Sequence, residues 1–301
     1  MKTLFVCASL GLLLGGCQSN PSQPPAPAAT AAASVAPSSA PSATTERTLA
    51  AIIAGDHRSA DNRARDRFRH PEATLAFFGI TPSLRVLEIT PGAGWYSEII
   101  APYVQAKGHF SAAIWDDSRP DFPKFYADLN AQLRAKVSAR PELYGNVQLL
   151  PINSKAPAFG SAESEDAIVT FRNVHNWAIG GNADAWFKAF FAALKPGGVL
   201  GVVDHRAKPG TTLAATLKSG YLTEAYVIGL AEAAGFVLEA RSEINANPLD
   251  DANHEAGVWS LPPTLRLGEK DRAQYLAIGE SDRMTLRFRK PSADLIHSAN
   301  D

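Results

Sequence analysis

The chain has 301 residues, 46% of them hydrophobic, so it is long enough to bury a core as one large domain or two small ones. Its 29 lysine and arginine residues nearly balance its 30 aspartate and glutamate residues, which argues against a protein that coats nucleic acid. Both cysteines, Cys7 and Cys17, precede residue 18, which excludes a disulfide framework or a cysteine-based zinc site further along, and the single long apolar run excludes a polytopic membrane protein.

Residues 1–16 have the pattern of a secretory signal peptide, because Lys2 precedes a short apolar stretch that ends in small residues. The segment Leu14-Gly15-Gly16-Cys17 resembles a bacterial lipobox, whose cysteine is acylated and becomes the first mature residue. This resemblance implies that the acyl chains on Cys17 bind a lipid bilayer. Because Gln18 follows the cysteine, and not an aspartate, we expect the periplasmic face of the outer membrane. A plain signal peptide with an incidental Cys17 is the alternative.

The next segment, 17–47, is predicted to be a disordered tether that begins at the lipidated cysteine. Residues 18–45 carry no charge and consist largely of proline, alanine, serine and threonine. Such a segment buries too little apolar surface to offset the entropy lost on ordering. Cleavage before Cys17 would remove Lys2 and change the net charge from −1 to −2.

A folded domain is predicted over 48–295, and it begins with a helical segment, 48–80, which we call the lid. Pro71 is expected to divide the lid into separate helices. Five arginines lie within 57–70, interspersed with acidic residues, so the main interpretation is a solvated, salt-bridged face. The alternative is that these arginines contact a substrate or membrane phosphates.

Apolar runs alternate with helical patterns through the rest of the domain, which predicts an α/β fold with a mostly parallel sheet covered on both faces. The predicted strands are Arg85–Ile89, Phe110–Ile114, Val147–Leu150, Asp166–Phe171, Val199–Val203, Phe236–Ile244 and Arg283–Arg289. The predicted helices span 95–104, 121–138, 182–194 and 222–234, and a turn is predicted at 195–198. A long excursion, 245–282, separates the last two strands, and we interpret it as a substrate wall or as packing for the sheet edge.

Ligands of such sheets bind where the strands end, and the best candidate is the turn after the first strand. Gly92 and Gly94 remove side chains where a ligand must approach the backbone closely, and Glu88 supplies a hydrogen-bond acceptor. Taken alone, two glycines separated by one residue are also compatible with a tight turn that binds no ligand.

The ordered motifs of residues 70–295 resemble those of class I S-adenosylmethionine-dependent methyltransferases. Glu88–Gly94 resembles the family's first motif, with Thr90 where a glycine is usual. Asp116 resembles the acid that binds the ribose hydroxyls, and Asp117 is the second choice for this role. Asn153 occupies the position at which the family usually has an aspartate that binds the adenine amino group. The segment Asp166–Trp177, with Asn173 among the cofactor contacts and Trp177 at the substrate, and the turn Lys195-Pro196-Gly197-Gly198 complete the pattern. The resemblance implies a Rossmann-like, doubly wound, seven-stranded sheet with an antiparallel last strand.

A narrower resemblance is to a bacterial group of exported predicted methyltransferases. It is carried by Glu88–Tyr96, Phe171–Trp177 and Ser242–Pro248. It does not name the methyl acceptor.

Polar residues at the ends of the fourth and fifth strands are candidate catalytic groups. His175 is a candidate base, His205 is another that Asp204 would orient, and Arg206 is a candidate for holding an anionic substrate. The alternatives are a structural histidine and a salt-bridged strand end. A metal bound by these histidines and a carboxylate is the minor interpretation, because the ligand spacing is loose, and no metal is expected.

The sequence therefore predicts a lipid-anchored methyltransferase that transfers a methyl group from S-adenosylmethionine to a small molecule, with no nucleic-acid partner. An envelope binding module with the same fold and no transferase activity is the alternative, suggested by Thr90, by Asn153 and by a compartment that lacks the cofactor. A nicotinamide-dependent oxidoreductase is disfavoured, because the third glycine of the dinucleotide motif is missing.

Overall fold

The structure, a computed structural model, describes residues 47–292. Their central element is a seven-stranded sheet. The strands are β1 (Arg85–Ile89), β2 (His109–Trp115), β3 (Val147–Ile152), β4 (Glu165–Phe171), β5 (Leu194–His205), β6 (Val237–Ser242) and β7 (Arg283–Arg289). The predicted signal peptide, the predicted lipidation at Cys17, the predicted tether up to residue 46 and the end of the predicted domain beyond residue 292 lie outside the described residues.

The strand order is β3-β2-β1-β4-β5-β7-β6. Strands β1 to β5 pair in parallel, whereas β7 runs antiparallel to both β5 and β6. This confirms the predicted α/β class and the Rossmann-like, doubly wound sheet with an antiparallel last strand. Since the chain order reverses between β1 and β4, their carboxyl ends form the switch point at which open sheets bind ligands.

Helices cover the sheet, and the lid consists of four short ones. The helices of the described residues are α1 (Leu49–Ile53), α2 (Ala60–Ala64), α3 (Asp66–Arg69), α4 (Pro71–Phe77), α5 (Ser97–Val104), α6 (Lys124–Ala139), α7 (Pro141–Tyr144), α8 (Val174–Ile179), α9 (Ala183–Ala193), α10 (Leu213–Ser219), α11 (Glu224–Ala233) and α12 (Arg272–Ile278). Pro71 begins α4, where its missing N–H costs no helical hydrogen bond. None of these helices is both long and apolar enough to cross a bilayer.

The sheet separates two hydrophobic cores. One contains Trp186, Phe187 and Phe190 of α9, all fully buried, and the other contains Ile99 and Ile100 of α5. Burying a side chain of this size contributes about 1.5–3 kcal/mol. The two cores explain why the central strands are apolar on both faces, which is the pattern that predicted a covered parallel sheet.

The turn predicted at 195–198 is wrong, because these residues belong to β5. Leu194 pairs with Glu165 of β4, and the register shifts before the next pair, which accommodates Gly197 with a φ of +78°. Gly197 N donates to Lys290 O at 2.8 Å, and Lys290 N donates to Gly198 O at 2.9 Å. These hydrogen bonds to the segment after β7 hold the glycines in the sheet, where the sequence alone indicated a free turn.

Candidate functional site

A cavity of about 330 Å³ lies at the carboxyl ends of β1, β4 and β5. We call it the central cavity. The lid, the turn after β1, helix α6, three strand ends and the excursion after β6 supply its wall, which consists of Asn62, Arg65, Arg69, Glu88, Ile89, Pro91, Gly92, Ala93, Trp95, Tyr96, Phe125, Leu129, Phe171, Arg172, Val203, Pro263, Thr264 and Arg283. Pro263 and Thr264 fit the interpretation of 245–282 as a substrate wall.

The turn after β1 repeats a left-handed backbone at every second residue. Thr90, Gly92 and Gly94 have φ values of +41°, +61° and +80°. A β-branched residue is a genuine outlier in this region, and such strain costs about 1–3 kcal/mol. The backbone at Thr90 therefore keeps the conformation that suits the glycine of the resembled motif. A hydrogen bond from Thr90 N to Ala113 O, at 2.8 Å, ties the strained residue to β2.

The two glycines of this turn have different reasons to lack a side chain. A Cβ on Gly94 would lie 2.6 Å from Leu133 Cδ1, so packing requires the glycine there. A Cβ on Gly92 would meet nothing nearer than Leu129 Cδ1 at 4.0 Å. Gly92 therefore exposes bare backbone to the central cavity, as a ligand site requires. The buried Oγ1 of Thr90 has no hydrogen-bond partner among the described residues.

Glu88 is a buried carboxyl on the cavity wall. Ser97 Oγ donates to its Oε2 at 2.6 Å. Burial raises the pKa of Glu88 to about 7, although the Ser97 hydrogen bond and the charges of Lys136 and Arg69 act in the opposite direction. This carboxyl is consequently shared between its neutral and ionised forms at neutral pH.

Asp116 and Asn153 lie in a separate hollow of about 100 Å³, which we call the small hollow. Hydrogen bonds from Ser118 hold the pKa of Asp116 below its ordinary value, and no ion pair of the described residues involves its carboxylate. Asp117, by contrast, is paired with Arg134 through two hydrogen bonds of 2.7 and 2.8 Å. Asp116 therefore differs from Asp117 in having no ion pair, and its predicted role at the ribose diol stays a prediction.

Aromatic side chains line and surround the small hollow. Trp115 and Phe122 line it, and both contact Tyr126, with ring centroids 5.5 and 6.4 Å from that ring. Phe125, next to Tyr126, lines the central cavity. Hence the first turn of α6 and the end of β2 place aromatic rings beside both spaces.

His175, Asp204 and His205 lie together, but none of them lines the central cavity. The prediction that Asp204 orients His205 is wrong, because the Asp204 carboxylate contacts the His175 ring and only the backbone N–H of His205, whose ring contacts Ser281. His175 Nδ1 lies 2.8 Å from Asp204 Oδ1, and the two imidazole centroids are 4.8 Å apart. Both histidines are buried, and burial holds the pKa of His205 well below its ordinary value, with His175 and the nearby arginines acting in the same direction. Arg172 Nε approaches His205 Nε2 to 3.5 Å, so the wall residue Arg172 separates His205 from the cavity.

Ligand atoms of His175, Asp204 and His205 lie within 4.8 Å of one another. The Nδ1 atoms are already engaged, that of His175 with Asp204 and that of His205 with Ser281 Oγ at 2.6 Å. These contacts account for the cluster without a cation, and the expectation of no metal stays a prediction.

The remaining predicted residues are placed away from the cavity wall. Asn173 Nδ2 donates to Ile89 O and to Thr170 Oγ1, which ties β4 to β1. Trp177 is buried and stacks on Trp186 at 4.3 Å. Their predicted contacts with cofactor or substrate stay predictions.

Arg206 is surrounded by carboxylates. It forms ion pairs with Glu224, Glu243 and Asp282 at 3.3, 2.7 and 2.9 Å. The alternative interpretation, a salt-bridged strand end, describes this arrangement.

The sequence analysis did not indicate Arg172 and Arg283 as site residues, and it gave the lid arginines a substrate contact only as the alternative to a solvated face. Arg65, Arg69, Arg172 and Arg283 all line the central cavity. The spacing of Arg65 and Arg69 by four residues places both on one helical face, and that face meets the cavity, although the Arg65 side chain also keeps some exposure to solvent. Arg172 precedes a predicted site residue, but nothing in the local pattern indicates that its side chain lines the cavity.

Two solved structures resemble the whole fold. A SAM-dependent methyltransferase from Aquifex aeolicus superimposes with a TM-score of 0.51 and 16% identity, over 81% of this chain and 99% of the other. The [4+2]-cyclase SpnF superimposes with a TM-score of 0.55 and 15% identity, over 81% of this chain and 93% of the other. In sequence, the chain matches no protein-family model and no curated protein.

The chain therefore has the Rossmann-like fold of class I S-adenosylmethionine-dependent methyltransferases. One of the structures named here, SpnF, is described as a cyclase, which illustrates that this fold supports more than one reaction. The reaction of this chain has to be argued from its own residues.

Proposed function

We propose that the protein is a methyltransferase that transfers a methyl group from S-adenosylmethionine to a small molecule. The observation that carries the proposal is the turn after β1. It keeps three left-handed residues, including the strained Thr90, and exposes Gly92 to the central cavity at the switch point of the sheet. Strain of this kind persists where function requires the conformation.

The residues present fit this cofactor. The free backbone at Gly92 and the unpartnered Thr90 Oγ1 would receive the methionine part, and the Glu88 carboxylate would accept a hydrogen bond from its ammonium group. The free carboxylate of Asp116 would accept hydrogen bonds from the ribose hydroxyls, and Asn153 would meet the adenine. The small hollow is below the roughly 300–1,000 Å³ of ordinary ligand sites, so its aromatic wall has to move when adenosine enters.

When bound, S-adenosylmethionine supplies an activated methyl group, which leaves the chain to align the acceptor and to accept one proton. Trp95, Phe125 and Pro263 line the cavity and would give the acceptor an apolar surface to pack against. His205 is neutral, but Arg172 lies between its Nε2 and the cavity. A proton therefore reaches this histidine only past Arg172, and Asp204 holds the neighbouring His175.

Calorimetric titration of the full-length protein with S-adenosylhomocysteine tests the proposal. We expect saturable binding, weakened at least about tenfold by Asp116→Ala, since a carboxylate that accepts two hydrogen bonds is lost. Asp128→Ala is the matched control, because Asp128 is an exposed acid on α6 that pairs with Lys124 one helical turn away. Absence of binding at millimolar ligand would contradict the proposed cofactor. Equal affinities of the two variants would contradict the proposed role of Asp116.

We also propose that the protein is exported and held on the periplasmic face of the outer membrane by acyl chains on Cys17. The support is the sequence of residues 1–18, in which a short apolar run ends in two glycines and the cysteine. The mass of the mature protein purified from cell membranes checks this proposal. Acyl groups on an N-terminal Cys17 are expected, and an unmodified cysteine would contradict it.

A further inference from the structure

Four guanidinium groups converge on the central cavity. Arg65 and Arg69 come from the lid, Arg172 follows β4, and Arg283 begins β7. We call them the four-arginine cluster. Because they come from three distant parts of the chain, their convergence is a property of the fold and not of one basic helix.

One carboxylate pairs with this cluster among the residues that the structure describes. Glu280 receives Arg65 Nε at 2.7 Å, Arg69 Nε at 3.1 Å and Arg283 Nη1 at 3.0 Å. Glu280 itself does not line the central cavity. Among the described residues, the only carboxyl that lines it is that of Glu88, which is partly neutral. Three of the four cations on the wall therefore share the single carboxylate of Glu280, and the fourth, Arg172, pairs with none among the described residues.

Arg172 is the least compensated member of the cluster. Within residues 47–292 no carboxylate forms an ion pair with it, and its one side-chain hydrogen bond is the 3.5 Å contact with neutral His205. Burial lowers the pKa of Arg172 to about 9, and the charges of Arg69, Arg283 and Arg65 act in the same direction against that of Glu280. Arg172 is only half-buried, but a cation held close to three others without a carboxylate of its own is costly unless an anion meets it.

The cluster also retains unused hydrogen-bond donors. Arg65 Nη2 and Arg283 Nε are buried and have no partner among the described residues. Arg283 is only 3% exposed, so bulk water does not compensate for the missing partner. Arg206 shows the opposite case, since three carboxylates already surround it.

Four aromatic side chains also line the cavity. Tyr96 and Phe171 lie parallel with ring centroids 3.5 Å apart, and Trp95 and Phe125 complete this part of the wall. A ligand that satisfies both halves of the wall has a flat apolar body and an acidic group. Guanidinium groups bind carboxylates and phosphates through paired hydrogen bonds.

We propose that the central cavity binds an aromatic anion, a small molecule with a carboxylate or phosphate group held by the four-arginine cluster. It is the methyl acceptor of the proposed transferase, and in this respect alone the inference rests on the proposed function. Gly92 and the four-arginine cluster line the same cavity, so the donor and the acidic acceptor would share one space.

Thermal unfolding of the full-length protein at constant ionic strength tests the inference. Millimolar phenylphosphonate is expected to raise the unfolding midpoint by about 2–5 °C, inorganic phosphate less, and neutral benzyl alcohol not at all. Arg172→Met is expected to unfold at or above the wild-type midpoint without anion, because an uncompensated cation is removed, and to lose more than half of the phenylphosphonate shift.

Arg272→Met is the matched control, since Arg272 is exposed and pairs loosely with Glu269 at 3.8 Å. It should keep the full shift. Arg65→Gln serves as a second variant, because the Arg65 side chain is partly exposed and its loss endangers folding less. A phenylphosphonate shift that is absent from the wild type, or undiminished in both cluster variants, would overturn the inference.

The outcomes also separate this inference from the proposed function. Phenylphosphonate binding without S-adenosylhomocysteine binding would support the anion site and contradict the transferase. Binding of S-adenosylhomocysteine without a phenylphosphonate shift of the unfolding midpoint would support the transferase and contradict an anionic acceptor.

Discussion

Replacing Glu280 by Gln is expected to lower the free energy of unfolding by about 3–5 kcal/mol at neutral pH, because it leaves buried cations without their carboxylate. Burial alone would raise the pKa of Glu280, but Arg69, Arg283, Arg172 and Arg65 hold it well below its ordinary value. The Gln side chain keeps the shape, but its amide nitrogen presents donors to guanidinium groups that are themselves donors. Chemical denaturation of both proteins measures the difference.

The matched control is Glu239→Gln. Glu239 also pairs with two arginines, Arg287 at 3.0 Å and Arg289 at 2.7 Å, but its side chain is 30% exposed. Solvent screens such pairs, so the expected loss is below about 1 kcal/mol. If Glu280→Gln cost no more than this control, the cluster would not carry the uncompensated charge that we assign to it.

Anions should partly rescue Glu280→Gln. With the carboxylate gone, phenylphosphonate becomes the main counter-charge for the four-arginine cluster, so its effect on the unfolding midpoint should exceed that seen in the wild type. An equal effect in both proteins would show that the anion and Glu280 do not act on the same cations.

The sheet was predictable from the sequence because its central strands are buried on both faces. Residues 283–289 form β7 as predicted, and the other predicted strands differ from the structure mainly at their ends. Helices α7, α8, α10 and α12 were not predicted. The segment of α8 was considered only as part of the motif Asp166–Trp177, and α10, with seven residues, is too short for a clear helical period.

Parts of the candidate site were predictable for a different reason. The turn after β1 and Asp116 are marked by residues that act locally, a bare backbone and a strand-end acid. The four-arginine cluster depends on contacts such as that between Arg69 and Glu280, which are 211 residues apart. No local pattern reports such a pair, and so the arginines of the lid were interpreted as a solvated face.

Arg206 and Arg172 also show that tertiary contacts limit sequence prediction. Arg206 was predicted to bind an anion and is already paired, whereas Arg172 was not predicted and has no carboxylate partner among the described residues. The sequence suggested Arg206 as an anion site because it ends a strand beside two candidate catalytic residues. The fold brings Glu243 and Asp282 to it and neutralises it. Which arginine is left without a partner is decided by tertiary contacts, and it is Arg172.

Glu88 was predictable as an acid at a strand end, but its protonation state was not, since that depends on burial by α5 and on charges from α3 and α6. The pKa of Glu88 is raised to about 7 by burial, from an ordinary value of 4.5. The folded state therefore binds this proton more tightly than the unfolded state. The stability that the proton contributes is complete below pH 4.5 and is lost as the pH rises towards 7.

Wild-type protein is therefore expected to lose up to about 3 kcal/mol of unfolding free energy between about pH 5 and 8, relative to Glu88→Gln over the same range. The Gln variant stays neutral and can still accept the hydrogen bond from Ser97. The comparison also cancels His57, His70 and His205, whose pKa values are lowered by burial and which act in the opposite direction. Parallel stability curves for the two proteins would mean that Glu88 titrates in its ordinary range, and that the carboxyl on the cavity wall is fully ionised at neutral pH.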